Sequence, residues 1–401
     1  MNTEILHKQV WGRFIRMPYG HLIDYADKNG HTVFPTGEQL QAGHPNAFAW
    51  GLPIENGAFF TGLYLYSLCE KYDFAPDETL KNEIKILANG LLVLCDVCKH
   101  DGCIARGVAD DGVSHPPLSS EDQAGPWLLG LWRLMHSPAS DEEMRADIKK
   151  RLIRTLSGIR NAGWRVSSEW EGVTGGNFSG KDWRGTSKLV FAAAAAKELG
   201  IIDDAEFERL VNERPDGGLY NRHEILSNGF APDMIRETVL IQFWIDICAQ
   251  LCVRELCHMD VKRAEYYRKG LAANAAVTVN FFREYEKYID ADRKPLCYDW
   301  RKLLEDIHPW NNVGEAYTEA LRQLNIFFHQ MSPGMSNEKS MLGQALFACW
   351  IAVVGGDKAS ADLAYECLAD ASERVNWAEC GYCFAFAAES AIYCYQKSSR
   401  K

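Results

Sequence analysis

Strict alternation of polar and apolar residues, the mark of a half-buried strand, is scarce in this 401-residue chain. A sheet-based architecture is therefore not expected. No apolar run reaches the roughly 18 residues of a membrane span. Met1 to Met17 hold no apolar signal core, so a cytoplasmic protein without a membrane partner is expected. Basic residues are outnumbered, 43 Lys and Arg against 54 Asp and Glu, for a net charge of −11. That balance disfavours nucleic acid and anionic lipid surfaces as partners. No Walker loop, no G-x-G-x-x-G after a strand, no H-E-x-x-H and no G-x-S-x-G occurs, so no cofactor is expected.

The thirteen cysteines do not make a disulfide framework. Their number is odd, and most, including Cys69, Cys248, Cys252, Cys349 and Cys394, fall in apolar helical stretches, as reduced buried thiols do. Cys95 and Cys98 form one C-x-x-C pair, and Cys380 and Cys383 another. Four thiolates suit zinc, but nothing in the sequence joins the two pairs, so no metal is expected.

What the chain has is helix periodicity and aromatics, 12 Trp and 16 Tyr among 47% hydrophobic residues. The pattern predicts helices over 3–14, 55–72, 77–100, 119–137, 140–162, 184–200, 203–213, 236–257, 260–288, 316–331, 338–354, 357–372 and 380–397. Their connections alternate. Short links such as those ending at Asp77, Asp141, Asp203, Asp260 and Asp357 carry turn residues and N-caps, and each opens a charged, amphipathic helix. Long loops (15–54, 101–118, 163–183, 214–235, 289–337 and the shorter 373–379) open helices that are apolar nearly all round. Six buried helices alternating with six amphipathic ones predict an all-α fold, an (α/α)6 barrel of six helical hairpins. It would be one toroid domain over residues 1–401 with a helical insertion around 300–331. All six long loops would then share one face.

Glu55-Asn56-Gly57-Ala58-Phe59-Phe60-Thr61-Gly62, His100-Asp101-Gly102 and the helix opening at Asp122 are the residues that carry a family resemblance. The chain resembles the six-hairpin glycosidase superfamily, and within it the unsaturated glucuronyl and rhamnogalacturonyl hydrolases. The resemblance implies a glycosidase, with Asp101 and Asp122 matching its two aspartates and Asp122 as the proton donor.

Candidates for chemistry concentrate in the long loops. Asp122 follows Ser119, Ser120 and Glu121, a run that also fits a capping box. Glu55 opens the first buried helix, and Asp182, Glu169 and Glu171 lie in the third loop as alternative acids or bases. Trp170, Trp183, Trp310 and Trp377 are candidate sugar platforms, because an aromatic face stacks on the C–H face of a pyranose. Arg106, Arg184 and Arg222 can each pair a uronate carboxylate bidentately. His115, Tyr220, His223, His308 and Asn311 complete the polar set. The expectation is a glycoside hydrolase acting on a small, uronate-containing oligosaccharide. A uronate lyase, a sugar 2-epimerase with paired histidines and a non-catalytic glycan-binding toroid are the alternatives.

Overall fold

The apolar stretches and their charged neighbours become helices in the computed structural model, which describes residues 3–400 apart from 171–172, 179, 232–241, 292–294 and 307–309. About 65% of the chain is helical. Among the described residues the paired strands form two antiparallel hairpins, β1 (Ile15–Arg16) with β2 (His21–Leu22) and β3 (Arg165–Ser167) with β4 (Thr174–Asn177).

The main helices are α1 (Glu4–Gln9), α2 (Gly57–Tyr72), α3 (Glu78–Asp96), α4 (Glu121–Met135), α5 (Glu142–Asn161), α6 (Trp183–Glu198) and α7 (Asp204–Asn212). They continue as α8 (Arg222–Asn228), α9 (Phe243–Met259), α10 (Ala264–Thr278), α11 (Val313–Asn325), α12 (Gln344–Val353), α13 (Lys358–Arg374) and α14 (Ala385–Ser398). The start of the predicted helix 236–257 lies outside the described residues.

Four of the short links end as their sequence predicts. Asp77, Asp141, Asp203 and Asp357 each accept a hydrogen bond from the amide three residues on, which satisfies one orphan donor of the helix start. Asp260 does not. Its carboxylate takes Arg263 and the Tyr267 hydroxyl instead, and the chain makes a 3-10 turn before α10. The expected helix 260–288 also breaks, at Val279–Phe281, before resuming over Glu284–Asp290. The run Val277, Thr278, Val279 is β-branched and a poor helix former.

The apolar helices contact one another in chain order. α2 packs on α4, α4 on α6, α6 on α9, α9 on α12, α12 on α14, and α14 on α2. The amphipathic helices lie against them: α3 on α2, α5 on α4, α7 and α8 on α6, α10 on α9 and α12, α13 on α12 and α14, and α1 on α14. At the α2–α4 crossing the backbones touch. A side chain at Gly62 would collide with the Pro126 carbonyl, and one at Gly130 with the Gly62 carbonyl.

Aromatic rings bridge the apolar helices. Phe60 of α2 lies 5.3 Å from Phe386 of α14 and 6.4 Å from Trp244 of α9, and Phe347 of α12 lies 5.9 Å from Phe386. Burying each such ring contributes roughly 1.5–3 kcal/mol. A continuous core runs from Leu6 to Cys394. No helix among the described residues is long and apolar enough to cross a membrane.

α1 is tied down by one charged residue. The His7 ring bonds Glu389 of α14 and Glu83 of α3, both at 2.9 Å. Burial opposes its charge, but the two carboxylates outweigh burial and push the imidazole up to about 9, from 6.5. The proton is therefore bound more tightly in the folded chain. The stability this adds is full below pH 6.5 and fades as the pH rises through about 9. For a quarter-exposed ring it is on the order of 1–2 kcal/mol. His7→Gln should therefore melt below the parent chain at pH 6 and together with it near pH 10, and a gap that ignores pH would reject the charged pair.

Candidate functional site

The N-terminal ends of the apolar helices, with the loops that enter them, hold a group of buried charges that includes Asp24, Glu55, Arg106, Lys188 and Asp246. Asp24, from the first long loop, accepts the Asn56 amide at 2.9 Å, the Asn56 side chain at 2.6 Å and the Tyr382 hydroxyl at 2.9 Å. It thereby joins the starts of α2 and α14. Burial, and then the nearby Glu55 charge, push its carboxyl up to about 7. Gln123 of α4 continues the seam, donating to Asn56 at 3.2 Å and accepting from the Phe59 amide at 3.1 Å.

Asp122 stands on the first turn of α4. Ser120 occupies the cap position but makes no side-chain cap bond, and Ser119 donates its hydroxyl to Ile104. The capping box that the sequence permits is not made. Asp122 instead accepts a hydrogen bond from Lys188 of α6 at 2.7 Å. The lysine side chain is only 3% exposed and the aspartate 29%, so this ion pair sits at the edge of the interior. Burial works against the carboxylate charge, but Lys188, then Arg184 and Arg106, overcome it and hold Asp122 below the usual range.

Its neighbour Glu121 behaves oppositely. Burial and the adjacent Asp122 charge push the Glu121 carboxyl up. Two carboxylates beside one lysine cannot both ionise cheaply, and the lysine pairs with Asp122. Glu121 lies against β4, where Gly176 leaves the room it fills: a side chain at Gly176 would collide with its carboxylate.

Further round, Arg184 of α6 bonds Asp246 of α9 at 2.8 Å. Burial leads in raising the Asp246 carboxyl, against the pull of Arg184 and Lys188. Arg106 is buried and donates to the carbonyls of Leu118 and Glu55, both at 3.3 Å, while Glu55, Asp122, Glu121 and Asp24 act electrostatically on it. Glu55 accepts the Gly51 amide at 2.8 Å and is itself buried. Half-buried Trp244, at the start of α9, has Phe59 5.4 Å away and the Lys339 ammonium 4.5 Å from its ring centre.

Of the residues singled out in the sequence, Asp122, Glu55, Arg106 and Arg184 thus meet in one cluster. The others lie elsewhere. Asp101 is two-thirds exposed and faces Arg154 of α5 at 3.8 Å, where Gly102 turns the chain over α5 with a left-handed φ of +85°. Asp182 caps α6 through the Gly185 amide. Trp183 is fully buried, with its indole N–H on the Leu226 carbonyl, so it cannot present a face to sugar. Trp377 is buried likewise and donates to the Ser372 carbonyl. Arg222 is committed to the Leu210 carbonyl and Glu213, both at 2.7 Å. His223 packs on Tyr266, 5.0 Å between ring centres, and Tyr220 is exposed. Asn311 is exposed and bonds Glu315 at the start of α11. Trp170 and Trp310 do meet, edge to face at 6.1 Å, in a small satellite core with Ala47, Leu118 and Ala316. His115 and Glu169 belong to a separate cluster taken up below. Glu171 and His308 lie outside the described residues.

Lys188, Asp246, Trp244, Lys339 and Asp24 are the members of the site that sequence reasoning missed. The first three sit inside stretches read as apolar helices. A charged residue in such a stretch is itself a signal, because it is rarely buried without a partner. No family model, no curated protein and no solved structure matches this chain.

Proposed function

We propose that the protein is a glycoside hydrolase acting on a small, uronate-containing oligosaccharide, built as an (α/α)6 toroid. The toroid reading is supported by the cycle of contacts from α2 through α14 and back to α2. The observation that carries the activity is the Glu121–Asp122 pair. Glycosidic hydrolysis needs one carboxyl that holds a proton and one that stays ionised, and environments that push two carboxyls apart mark such a division of labour. Glu121, raised by burial and by Asp122, is the proton donor in this reading. Asp122, fixed as a carboxylate by Lys188, is the base or charge stabiliser. That inverts the role the family resemblance gives to Asp122.

Lys339, beside Trp244, is the cation this reading offers a uronate, since Arg184 and Arg222 are tied to Asp246 and Glu213 and Arg106 is buried on the Leu118 and Glu55 carbonyls. Trp244 supplies the aromatic contact. The thirteen unpaired thiols support a reducing, cytoplasmic setting. A 2-epimerase is less well supported, because His115 and His223 stand apart from the carboxylates.

A screen of uronide oligosaccharides, saturated and unsaturated, tests the proposal. New reducing ends, or loss of the unsaturated chromophore, would support a hydrolase. A gain of that chromophore would make the protein a lyase, and binding without turnover would make it a glycan-binding toroid. Neither binding nor turnover across the panel would sink the carbohydrate reading.

A further inference from the structure

Cys98 lies just beyond the end of α3, and the loop that follows carries Cys103 and His115. Glu169 comes from the third long loop, just after β3. Ligand atoms of Cys98, His115 and Glu169 lie within 4.8 Å of one another, the one such grouping of metal-ligand side chains among the described residues. A tetrahedral zinc holds its ligand atoms roughly 3.3–3.8 Å apart, so shifts of about an ångström would close the set. Both thiols of this C-x-x-C pair donate to α3 carbonyls, Cys95 to Leu92 and Cys98 to Leu94, but it is Cys98 that has His115 and Glu169 within reach. Cys380 faces Tyr288 at 3.6 Å. Cys98 is thus grouped with residues outside its C-x-x-C motif.

We propose that Cys98, Cys103, His115 and Glu169 form a structural zinc site that clamps the Arg106-bearing loop to the end of α3 and to the β3–β4 hairpin. Glu169 argues for a cation directly. One carboxylate oxygen accepts the Lys99 amide at 2.7 Å, while the other is buried without any hydrogen-bond partner. A buried carboxylate oxygen without a partner is costly, and a metal would satisfy it. The His115 ring fits as well. Its nitrogens lie 3.1 Å from the Pro116 carbonyl and 3.2 Å from the Val97 carbonyl. A neutral imidazole can donate to only one carbonyl, so the other nitrogen keeps a lone pair that no carbonyl can use and a metal can.

The Cys98 thiol has the Cys103 thiol beside it. Zinc binding converts both thiols to thiolates and releases their two protons, so affinity should fall at low pH. Cys103 is buried and next to Cys98, which suits it as the fourth ligand. With both thiolates, the imidazole and the carboxylate bound, no position stays open for substrate, which marks a structural rather than a catalytic zinc. The inference does not depend on the proposed activity.

The full chain, produced with zinc chloride under reducing conditions and then desalted, should retain about one zinc per chain by elemental analysis. Cobalt in its place should give a thiolate-to-cobalt charge-transfer band and the visible bands of a tetrahedral centre. Cys98→Ser and His115→Ala should each lose the metal. If those variants fail to fold, blocking the thiols of the parent chain with a mercurial should release one zinc to a chromogenic chelator. A zinc-free parent chain, or metal retained by a folded Cys98→Ser chain, would overturn the proposal. So would a Cys98–Cys103 disulfide in the freshly reduced and desalted protein, seen as a loss of two hydrogens by mass.

Discussion

Glu70→Ala should destabilise the protein by roughly 3–5 kcal/mol, the loss seen when one partner of a buried ion pair is removed. Glu70 is 2% exposed, near the C-terminal end of α2. Its carboxylate accepts Arg133 of α4 at 2.8 Å, Arg254 of α9 at 2.8 Å and Lys397 of α14 at 2.6 Å. Asp73, just past α2, takes Arg133 and Lys397 as well. Four apolar helices thus bring their C-terminal ends together on one carboxylate. Burial alone would raise the Glu70 pKa. Arg254, Arg133 and Lys397 overwhelm burial and hold it far below the carboxylate range. The proton is therefore bound more weakly in the folded chain than in the unfolded one. This stabilisation is complete above about pH 4.5 and is lost only as the pH falls below that range. The alanine variant takes the paired carboxylate from Arg254 and leaves Arg133 with Asp73 alone. Urea denaturation at pH 7 gives the measurement, and a loss under about 1 kcal/mol would show the cluster to be solvent-screened.

That cluster explains what the sequence could and could not say about the fold. Helices α2 to α7, α13 and α14 are legible because apolar residues recur at helix period and, in α3, α5, α6, α7 and α13, an aspartate stands at the cap. Both signals are local: Asp141 and the Met144 amide are three residues apart. Glu70 and its partners are separated by 63, 184 and 327 positions. Glu70 is unremarkable in sequence, since Glu followed by Lys at a helix end is ordinary. Helix α8 escapes the pattern as well. It is seven residues long, and its start is marked only by the Asn221–Glu224 capping box inside a loop rich in Gly and Asn.

The site is half legible for a related reason. Loop position singles out Asp122, Glu55, Arg106 and Arg184, which the fold brings near one another because the entries to the apolar helices converge. Loop position also promotes Trp183, Trp377 and Arg222, and here it misleads. An aromatic or arginine in a loop is drawn inward whenever a carbonyl is there to take its N–H, as Leu226, Ser372 and Leu210 do. The reverse error hides Lys188. Among Leu, Val, Phe and a run of alanines it reads as a helix edge, yet it points inward because Asp122 neutralises it.

On the proposed hydrolase activity, Glu121→Gln should lose about 10²–10⁴-fold in turnover, the usual contribution of a general acid. It should stay folded, because glutamine keeps the shape and Glu121 is only partly buried. Asp122→Asn should also lose activity, and the pH profile separates the two roles. With Asp122 as the ionised partner and Glu121 as the donor, the rate rises where Asp122 loses its proton, below 3.8, and falls where Glu121 loses its own, above 4.5. Removing the Asp122 charge relieves Glu121, so residual activity in Asp122→Asn should lose its alkaline limb at lower pH than the parent. Lys188→Met acts on both carboxyls, because the ammonium pulls Glu121 down as well as Asp122. Without it burial favours the protonated forms, and both limbs should move upward, the acidic one by about a pH unit or more. If Asp122 itself is the donor, the alkaline limb belongs to it. Glu121→Gln would then keep most of its turnover, and Lys188→Met would move the alkaline limb while leaving the acidic one in place. Those two observations together would return the proton to Asp122.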